Sequence, residues 1–193
     1  MADNTQEEQP TKHTSEEDPY IKTATHNYVS RRASIKGANR VELKGKCVLK
    51  PNVTLDGEKA WVKAGRYCTI HTNSMLQPPP MPPPYYENQE MQYVPLILKN
   101  HVVIQSNCHI EAAAIGSSVQ IGHDCTLGKR CIIKDCCIIE PNSHIADDTV
   151  VPPFTRMAGK PAVMVEELPE SVAVDLVDAA VDEYQSFVED TKK

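Results

Sequence analysis

The side chains best suited to chemistry in this chain are those of its seven histidines and seven cysteines. Zinc catalysis needs three protein ligands and an open position for water. His123 follows Gly122, but no other histidine lies within ten residues of it, and the remaining histidines are scattered along the chain. One histidine does not make a zinc site. We therefore treat His123 as a weak relic of a metal site and expect neither a metal nor a cofactor.

The cysteines could serve as small core residues or as metal ligands. Six of them share one small, inward position of a repeat: Cys47, Cys68, Cys108, Cys125, Cys131 and Cys137. A buried cysteine behaves as a small hydrophobic residue, which favours core filling. The alternative is a zinc site around Cys131, Cys136 and Cys137, although these three lack the paired C-x-x-C spacing of zinc ligands.

The repeat itself is carried by large aliphatic residues that recur every six positions, with a single step of five between Ile110 and Ile115. They are Leu98, Ile104, Ile110, Ile115, Ile121, Leu127, Ile133, Ile139, Ile145, Val151 and Met157. A period of six fits a strand of about three residues followed by a turn, and three such units make one triangular coil. The sequence therefore predicts an all-β solenoid, a parallel β-helix of hexapeptide repeats with Ile104 to Ile145 of this series in its core. Resemblance to known hexapeptide-repeat folds implies left-handed coils.

The remaining segments are predicted from composition and period. Residues 1–19 are expected to be a disordered acidic extension, and residues 20–163 the β-helix, with a proline-rich loop insertion at 77–95. Residues 164–193 are expected to form a C-terminal α-helix and tail, because an apolar stripe with i, i+4 spacing runs from Val172 to Val188. We expect this helix to fold back along one face of the solenoid.

Bulk properties limit the partners. The formal net charge of −6 argues against nucleic acid, and no apolar run approaches the ~20 residues of a membrane span. We therefore expect a cytosolic protein without membrane insertion.

Two enzyme classes use hexapeptide β-helices and remain alternatives. A γ-class carbonic anhydrase needs three zinc-binding histidines, which this sequence does not supply in the required pattern. An acyltransferase needs a histidine as general base; His109 or His123 has the right side chain, but no neighbouring residue suggests an orienting group. G-x-S-x-G, phosphate-loop and dinucleotide motifs do not occur. The sequence favours a protein that is not an enzyme.

Aromatic residues outside the regular coils are the candidate interface residues, since aromatic side chains often anchor protein interfaces. They are Trp61, Tyr67, Tyr85, Tyr86 and Phe154. Trp61 could instead fill a corner of the solenoid. The proline-rich loop, which carries Tyr85 and Tyr86, could be a tolerated surface insertion or a docking segment.

Several runs resemble one family closely. The runs 115–117 (IGS), 134–137 (KDCC) and 151–154 (VPPF), together with the 20–31 region and the tail beginning ELPE at 167–170, resemble the dynactin subunit 5 family. The resemblance implies a left-handed β-helix that acts as a non-catalytic structural subunit of the dynactin pointed-end complex. Implied partners are dynactin subunit 6, an actin-related protein, a zinc-binding subunit and the cargo adaptors of dynein. The implied role is dynein-driven microtubule transport, in the cytoplasm and cytoskeleton.

Overall fold

A computed structural model describes residues 19–82 and 91–191. Short strands follow one another through the described residues, and most of the turns between them have two to four residues. In chain order the strands are β1 Tyr20–Lys22, β2 Tyr28–Ser30, β3 Ser34–Lys36, β4 Val41–Gly45, β5 Val48–Leu49, β6 Thr54–Asp56, β7 Val62–Arg66, β8 Thr69–Ile70, β9 Met75–Leu76, β10 Leu96–Leu98, β11 Val102–Ile104, β12 His109–Ile110, β13 Ala114–Ile115, β14 Val119–Ile121, β15 Thr126–Leu127, β16 Ile132–Ile133, β17 Ile138–Ile139, β18 His144–Ile145, β19 Val150–Val151, β20 Thr155–Gly159 and β21 Ala162–Glu167. A 3₁₀ turn spans Ala38–Arg40, and one α-helix, α1, spans Val172–Asp190.

From β2 onward, every third strand pairs in parallel, so three strands make one coil and the coils stack into three flat sheets. Sheet A has the order β1-β2-β5-β8-β11-β14-β17-β20-β21, sheet B contains β3-β6-β9-β12-β15-β18, and sheet C contains β4-β7-β10-β13-β16-β19. The predicted fold class, a left-handed parallel β-helix of hexapeptide repeats with a C-terminal α-helix, is confirmed.

The interior of the prism is filled by the aliphatic series. The eight residues from Ile104 to Ile145 in that series are each at most 1% exposed. Register pairs stack each one on its equivalent in the next coil, as in Ile104 on Ile121 and Ile115 on Ile133. Burying such a side chain contributes about 1.5–3 kcal/mol, so the stack is the main source of stability.

The corners are turned by residues with left-handed backbone torsions. Asn73, Asn107 and Asp124 have φ values of 60°, 60° and 56°, and Asn and Asp tolerate this region better than most residues. Their side chains form a ladder in which each amide donates to the next coil at 3.1 Å, ending on the Asp124 carboxylate. The small residue that follows each corner, such as Cys108, points inward and is buried.

Burial also determines the state of the cysteines proposed above as alternative zinc ligands. Burial raises the pKa of Cys131 to about 12 and that of Cys137 to about 11. Cys131 lies at the corner between sheets B and C, whereas Cys136 and Cys137 lie at the corner between sheets C and A. A cysteine that binds zinc must be a thiolate. The raised pKa values and the two separate corners favour neutral, packed thiols instead.

Antiparallel strands finish sheet A at both ends. Strand β1 pairs with β2, and β21 pairs with β20. The predicted boundary between residues 163 and 164 falls inside β21, because the chain makes one more strand of sheet A before the helix. The proline-rich insertion lies between β9 and β10; its described parts meet in a bridge between Pro80 and Tyr93, and residues 83–90 lie outside the described residues. Apart from Pro19, the acidic extension also lies outside them.

Helix α1 folds back along sheet A, as predicted from its apolar stripe. Leu176, Ala180 and Tyr184 are buried, and Tyr184 packs in a cluster with Tyr28 and Val48. In the part of the chain that the structure describes, no helix is both long and apolar enough to cross a lipid bilayer.

Candidate interaction surface

The three outward faces of the solenoid differ in what covers them. Along each sheet, one column of side chains points outward from successive coils, because neighbours along a strand alternate between core and surface. On sheet B this column is mostly polar and reads Ser34, Thr54, Met75, His109, Thr126 and His144. A polar face needs no covering element.

Sheet A has an apolar outward column that helix α1 covers. Tyr28, Val48, Thr69 and Val103 stand in register on successive coils, and each is buried, with exposures of 6%, 0%, 1% and 3%. Ala180 of the helix is fully buried against this face. The sheet therefore contributes an apolar column and the helix contributes an apolar stripe, and neither is left in water.

A polar contact fixes the helix at the side of that column. The carboxylate of Glu183 accepts a hydrogen bond from the ring of His71, the residue that follows β8. Lys50 Nζ lies 3.7 Å from the same carboxylate. Burial alone raises the pKa of Glu183, but the His71 bond and the charges of His71 and Lys50 outweigh it, so its pKa lies below the ordinary value. The flank of the apolar column is thus basic where the helix is acidic.

Sheet C also has an apolar outward column. Ile97, Ala114, Ile132 and Val150 stand in register on four successive coils. Ile97 is 43% exposed and Val150 is 55% exposed, and a hollow of about 400 Å³ lies over Ile97, Ala114 and Ile132. Contiguous apolar patches often mark interaction sites, so this column is a candidate for one.

Lysines flank the apolar column of sheet C. Lys99 and Lys134 follow strands two coils apart, Lys44 lies within β4, and Lys63 precedes Ile97 in the outward column. Two carboxylates face them: Glu42 lies 3.3 Å from Lys63, and Asp135 lies 3.2 Å from Lys99. Four lysines against two carboxylates leave this surface basic, on a chain whose net charge is −6. We call the set Ile97, Ala114, Ile132, Val150, Lys99 and Lys134 the sheet C face.

Trp61 lies at the border of the sheet C face, one residue before β7. Its side chain is 42% exposed, and Lys63 Nζ lies 4.7 Å from the ring centroid, a distance at which a cation is attracted to the ring face. Of the two interpretations of Trp61, the exposed position favours an interface anchor over a corner plug.

The other predicted interface residues lie elsewhere. Tyr67 is half-buried beside helix α1, stacked on His101 with 5.4 Å between ring centroids and edge-on to Tyr184 at 5.6 Å. Phe154 is half-buried at a corner, where its carbonyl oxygen accepts a 2.7 Å hydrogen bond from the Leu168 backbone. Tyr85 and Tyr86 lie outside the described residues. Of the three predicted interface residues that the structure describes, only Trp61 lies at the sheet C face.

The histidines considered for catalysis are on open surfaces. His123 Nδ1 lies 2.7 Å from the Asp124 carboxylate, so the expectation that no neighbouring residue could orient this histidine is wrong; both side chains are about half exposed. His109 lies on sheet B, with Nε2 3.9 Å from Glu111. Within residues 19–82 and 91–191, His, Cys, Asp and Glu side chains do not form a group of three that could hold a metal ion.

The sheet C face was missed by the sequence analysis, although a signal exists. Ile97, Ala114, Ile132 and Val150 are 17 or 18 residues apart, which is one full coil of three hexapeptides. A search at period six finds the inward residues of all three sheets together, whereas a search at period 18 separates the outward columns.

Comparison with known proteins gives the family. The family model of Dynactin subunit 5 matches residues 12–193. Dynactin subunit 5 of Dictyostelium discoideum is 38% identical over 176 residues, which are 91% of this chain and 87% of that relative.

Solved structures share the solenoid at low identity. A hexapeptide transferase family protein from Anaplasma phagocytophilum has a TM-score of 0.62 at 16% identity, covering 88% of this chain and 96% of that one. AntD, an N-acyltransferase from Bacillus cereus, has a TM-score of 0.62 at 12% identity, covering 81% of this chain and 88% of that one. At these identities the likeness concerns the fold alone. The family match and the relative from Dictyostelium together establish that the chain belongs to the dynactin subunit 5 family.

Proposed function

We propose that this chain is a non-catalytic structural subunit of the dynactin complex, located with its partners in the cytoplasm and on the cytoskeleton. In finer detail, it occupies the pointed-end complex with dynactin subunit 6, an actin-related protein and a zinc-binding subunit. From there it supports dynein-driven microtubule transport and the recruitment of cargo adaptors. Membership of the dynactin subunit 5 family supports the place of the chain in the dynactin complex. The pointed-end position, the named partners and the role in transport are proposed as extensions of it.

One structural observation carries the proposal: the sheet C face is apolar, basic and exposed on a rigid prism. The coils are held by the interior stack and by hydrogen bonds to their neighbouring coils, on both sides for Ile97, Ala114 and Ile132 and on one side for Val150 on the edge strand β19, so the face keeps its shape without a partner. A preformed face loses little conformational entropy when it binds. Its side chains are suited to holding another protein and include no arranged set of catalytic groups.

The test is affinity purification of the tagged full chain at native expression level, with mass spectrometry of the proteins and of bound metal. We expect stoichiometric dynactin subunits and no stoichiometric zinc on this chain. A matched preparation carrying Ile97→Ser and Ile132→Ser should recover fewer of these subunits at an unchanged melting temperature. Recovery of a homotrimer without any dynactin subunit would contradict the proposal.

The enzymatic alternative has a separate readout. The fold of the solved neighbours occurs in acyltransferases, which hold a histidine general base against its acceptor in a cleft between neighbouring solenoids. His109 and His123 lie on open faces of the single chain, and the proposed function pairs this chain with dynactin subunits rather than with copies of itself. The purified chain should therefore show no acyl-coenzyme A turnover. Turnover that is lost in His123→Ala or His109→Ala would restore the acyltransferase interpretation.

A further inference from the structure

We infer that the sheet C face binds an α-helix of a partner protein, an amphipathic helix with acidic residues beside its apolar stripe, lying along the axis of the solenoid. The inference rests on the proposed function and names the class of segment that the face takes. Three observations carry it: the packing of helix α1 on sheet A, the spacing of the coils, and the distribution of charge.

Helix α1 shows how a face of this solenoid holds a helix. On sheet A, an apolar outward column receives the stripe formed by Leu176, Ala180 and Tyr184, while Lys50 and His71 at its flank hold Glu183. The helix carries six carboxylates and no lysine or arginine. Sheet C repeats the receiving half of this arrangement: an apolar column has Lys99 and Lys134 on its flank, with the Asp135 carboxylate 3.2 Å from Lys99, and no described segment covers it.

The spacing of the coils suits a helix better than an extended strand. Successive coils are ~4.8 Å apart, close to the ~5.4 Å pitch of an α-helix. If the bound segment were an extended strand, its side chains on one side would be ~6.6 Å apart and would lose register with the outward column after two coils. The column from Ile97 to Val150 spans three coil steps, ~14 Å, which about ten helical residues cover.

The charges fit the same register. Lys99 and Lys134 follow strands two coils apart, a separation of ~9.6 Å. Acidic residues at positions i and i+7 of a helix are ~10.5 Å apart and can face both lysines at once. A basic flank beside an apolar column thus selects acidic residues at one edge of the stripe, and like charges there would be repelled.

Helix α1, the one α-helix of the described residues, is not free to supply the occupant. The apolar stripe of α1 is already used on sheet A, where Ala180 is fully buried and Leu176 is 3% exposed. Transfer of α1 to the sheet C face of a second copy would expose Tyr28 and Val48, which it now covers. A partner helix covers the sheet C face at no such cost.

Carbodiimide cross-linking of the complex purified on the tagged full chain tests the inference, because this reagent joins lysine directly to Asp or Glu. We expect Lys99 and Lys134 to be joined to acidic residues about seven apart in one helical segment of a partner. Links confined to acidic residues of this chain, such as Asp135, Glu87 or Glu90, would overturn the inference. Links to α1 of a second copy, or to a segment without helical period, would also overturn it.

A synthetic peptide of the cross-linked segment supplies the control. Its affinity should fall about fivefold in Lys99→Gln/Lys134→Gln, as expected for two exposed ion pairs, and rising salt should remove the difference. Lys36→Gln/Lys160→Gln, with the same change of charge elsewhere, should bind like wild type; equal affinities for all three proteins would overturn the inference. Capture of dynactin subunits without the lysine links contradicts the inference alone, whereas absence of every dynactin subunit contradicts the proposed function.

Discussion

The phenolic hydroxyl of Tyr184 donates a 2.9 Å hydrogen bond to the carbonyl oxygen of His26. His26 sits at the first corner of the solenoid with φ of 60°, and Tyr184 lies near the end of α1, 158 residues later in the sequence. The bond therefore joins the last part of the chain to the first coil.

Removing that hydroxyl should loosen the contact between the C-terminal part of α1 and the first coil of the solenoid. Tyr184→Phe keeps the ring among Tyr28 and Tyr67 and deletes one hydrogen bond, which is worth about 1 kcal/mol. For a chain of this size we expect the melting temperature to fall by about 2–4 °C, measured by circular dichroism. Gln185→Ala, on the exposed side of the helix, is the control, and equal melting curves for both variants would contradict the role given to the bond.

Adjacent residues on β16 provide a test of the core register. Ile133 is 1% exposed, whereas Ile132 points out of sheet C. Ile133→Asp should unfold the chain, because an unpaired buried charge costs several kcal/mol against a typical total stability of about 5–15 kcal/mol. Ile132→Asp should melt close to wild type. Similar melting of the two variants would show that the inward register is wrong; Ile121→Asp repeats the test on sheet A.

The Glu183 contact should make helix docking depend on pH. Its pKa is below the ordinary value of 4.5, so the ionised form is favoured in the folded state. The stabilisation is present above pH 4.5 and is lost as pH falls through the folded pKa. Urea unfolding of wild type and Glu183→Gln should therefore differ at pH 6 and converge in acid, and a pH-independent difference would exclude the carboxylate as its source.

Gly122 should resist substitution because of the neighbouring coil. Its φ lies outside the left-handed region, but a Cβ atom there would be 2.5 Å from the Pro141 backbone nitrogen. Gly122→Ala should cost about 1–3 kcal/mol, as overpacking does, read as a lower urea midpoint. Gln120→Ala, two residues earlier on the outward side of the same strand, should change the midpoint little. If Gly122→Ala changes the urea midpoint as little as Gln120→Ala does, the neighbouring coils are less tightly packed at this corner than the structure indicates.

Trp61 and Tyr67 should separate binding from stability. Trp61→Ala removes an exposed ring beside the sheet C face, so recovery of dynactin subunits should fall while the melting temperature stays unchanged. Tyr67→Ala removes a ring that packs edge-on against Tyr184, so the melting temperature should fall. A normal yield with Trp61→Ala would remove this residue from the interface.

The inward register could be predicted from sequence because each coil repeats the same local requirement: one large aliphatic side chain per six residues. The helix could be predicted from its own period. The contact between Glu183 and His71 could not, because it depends on which of three equivalent faces the helix covers, and neither segment encodes that choice locally. Tyr67 is an aromatic residue off the regular coils, and period alone does not reveal that it lies beside that helix.

The helix also has a consequence for how the solenoid could change in length. Helix α1 begins after β21 at one end and places Phe187 4.9 Å from Tyr20, measured between ring centroids, at the other. Its 19 residues reach ~28 Å, about the height of six stacked coils at ~4.8 Å each. Duplication of one 18-residue coil, the simplest way for a repeat protein to grow, would move His71 or His26 one coil away from its helical partner. The helix thus acts as a gauge that opposes gain or loss of coils, although the repeat alone would tolerate either.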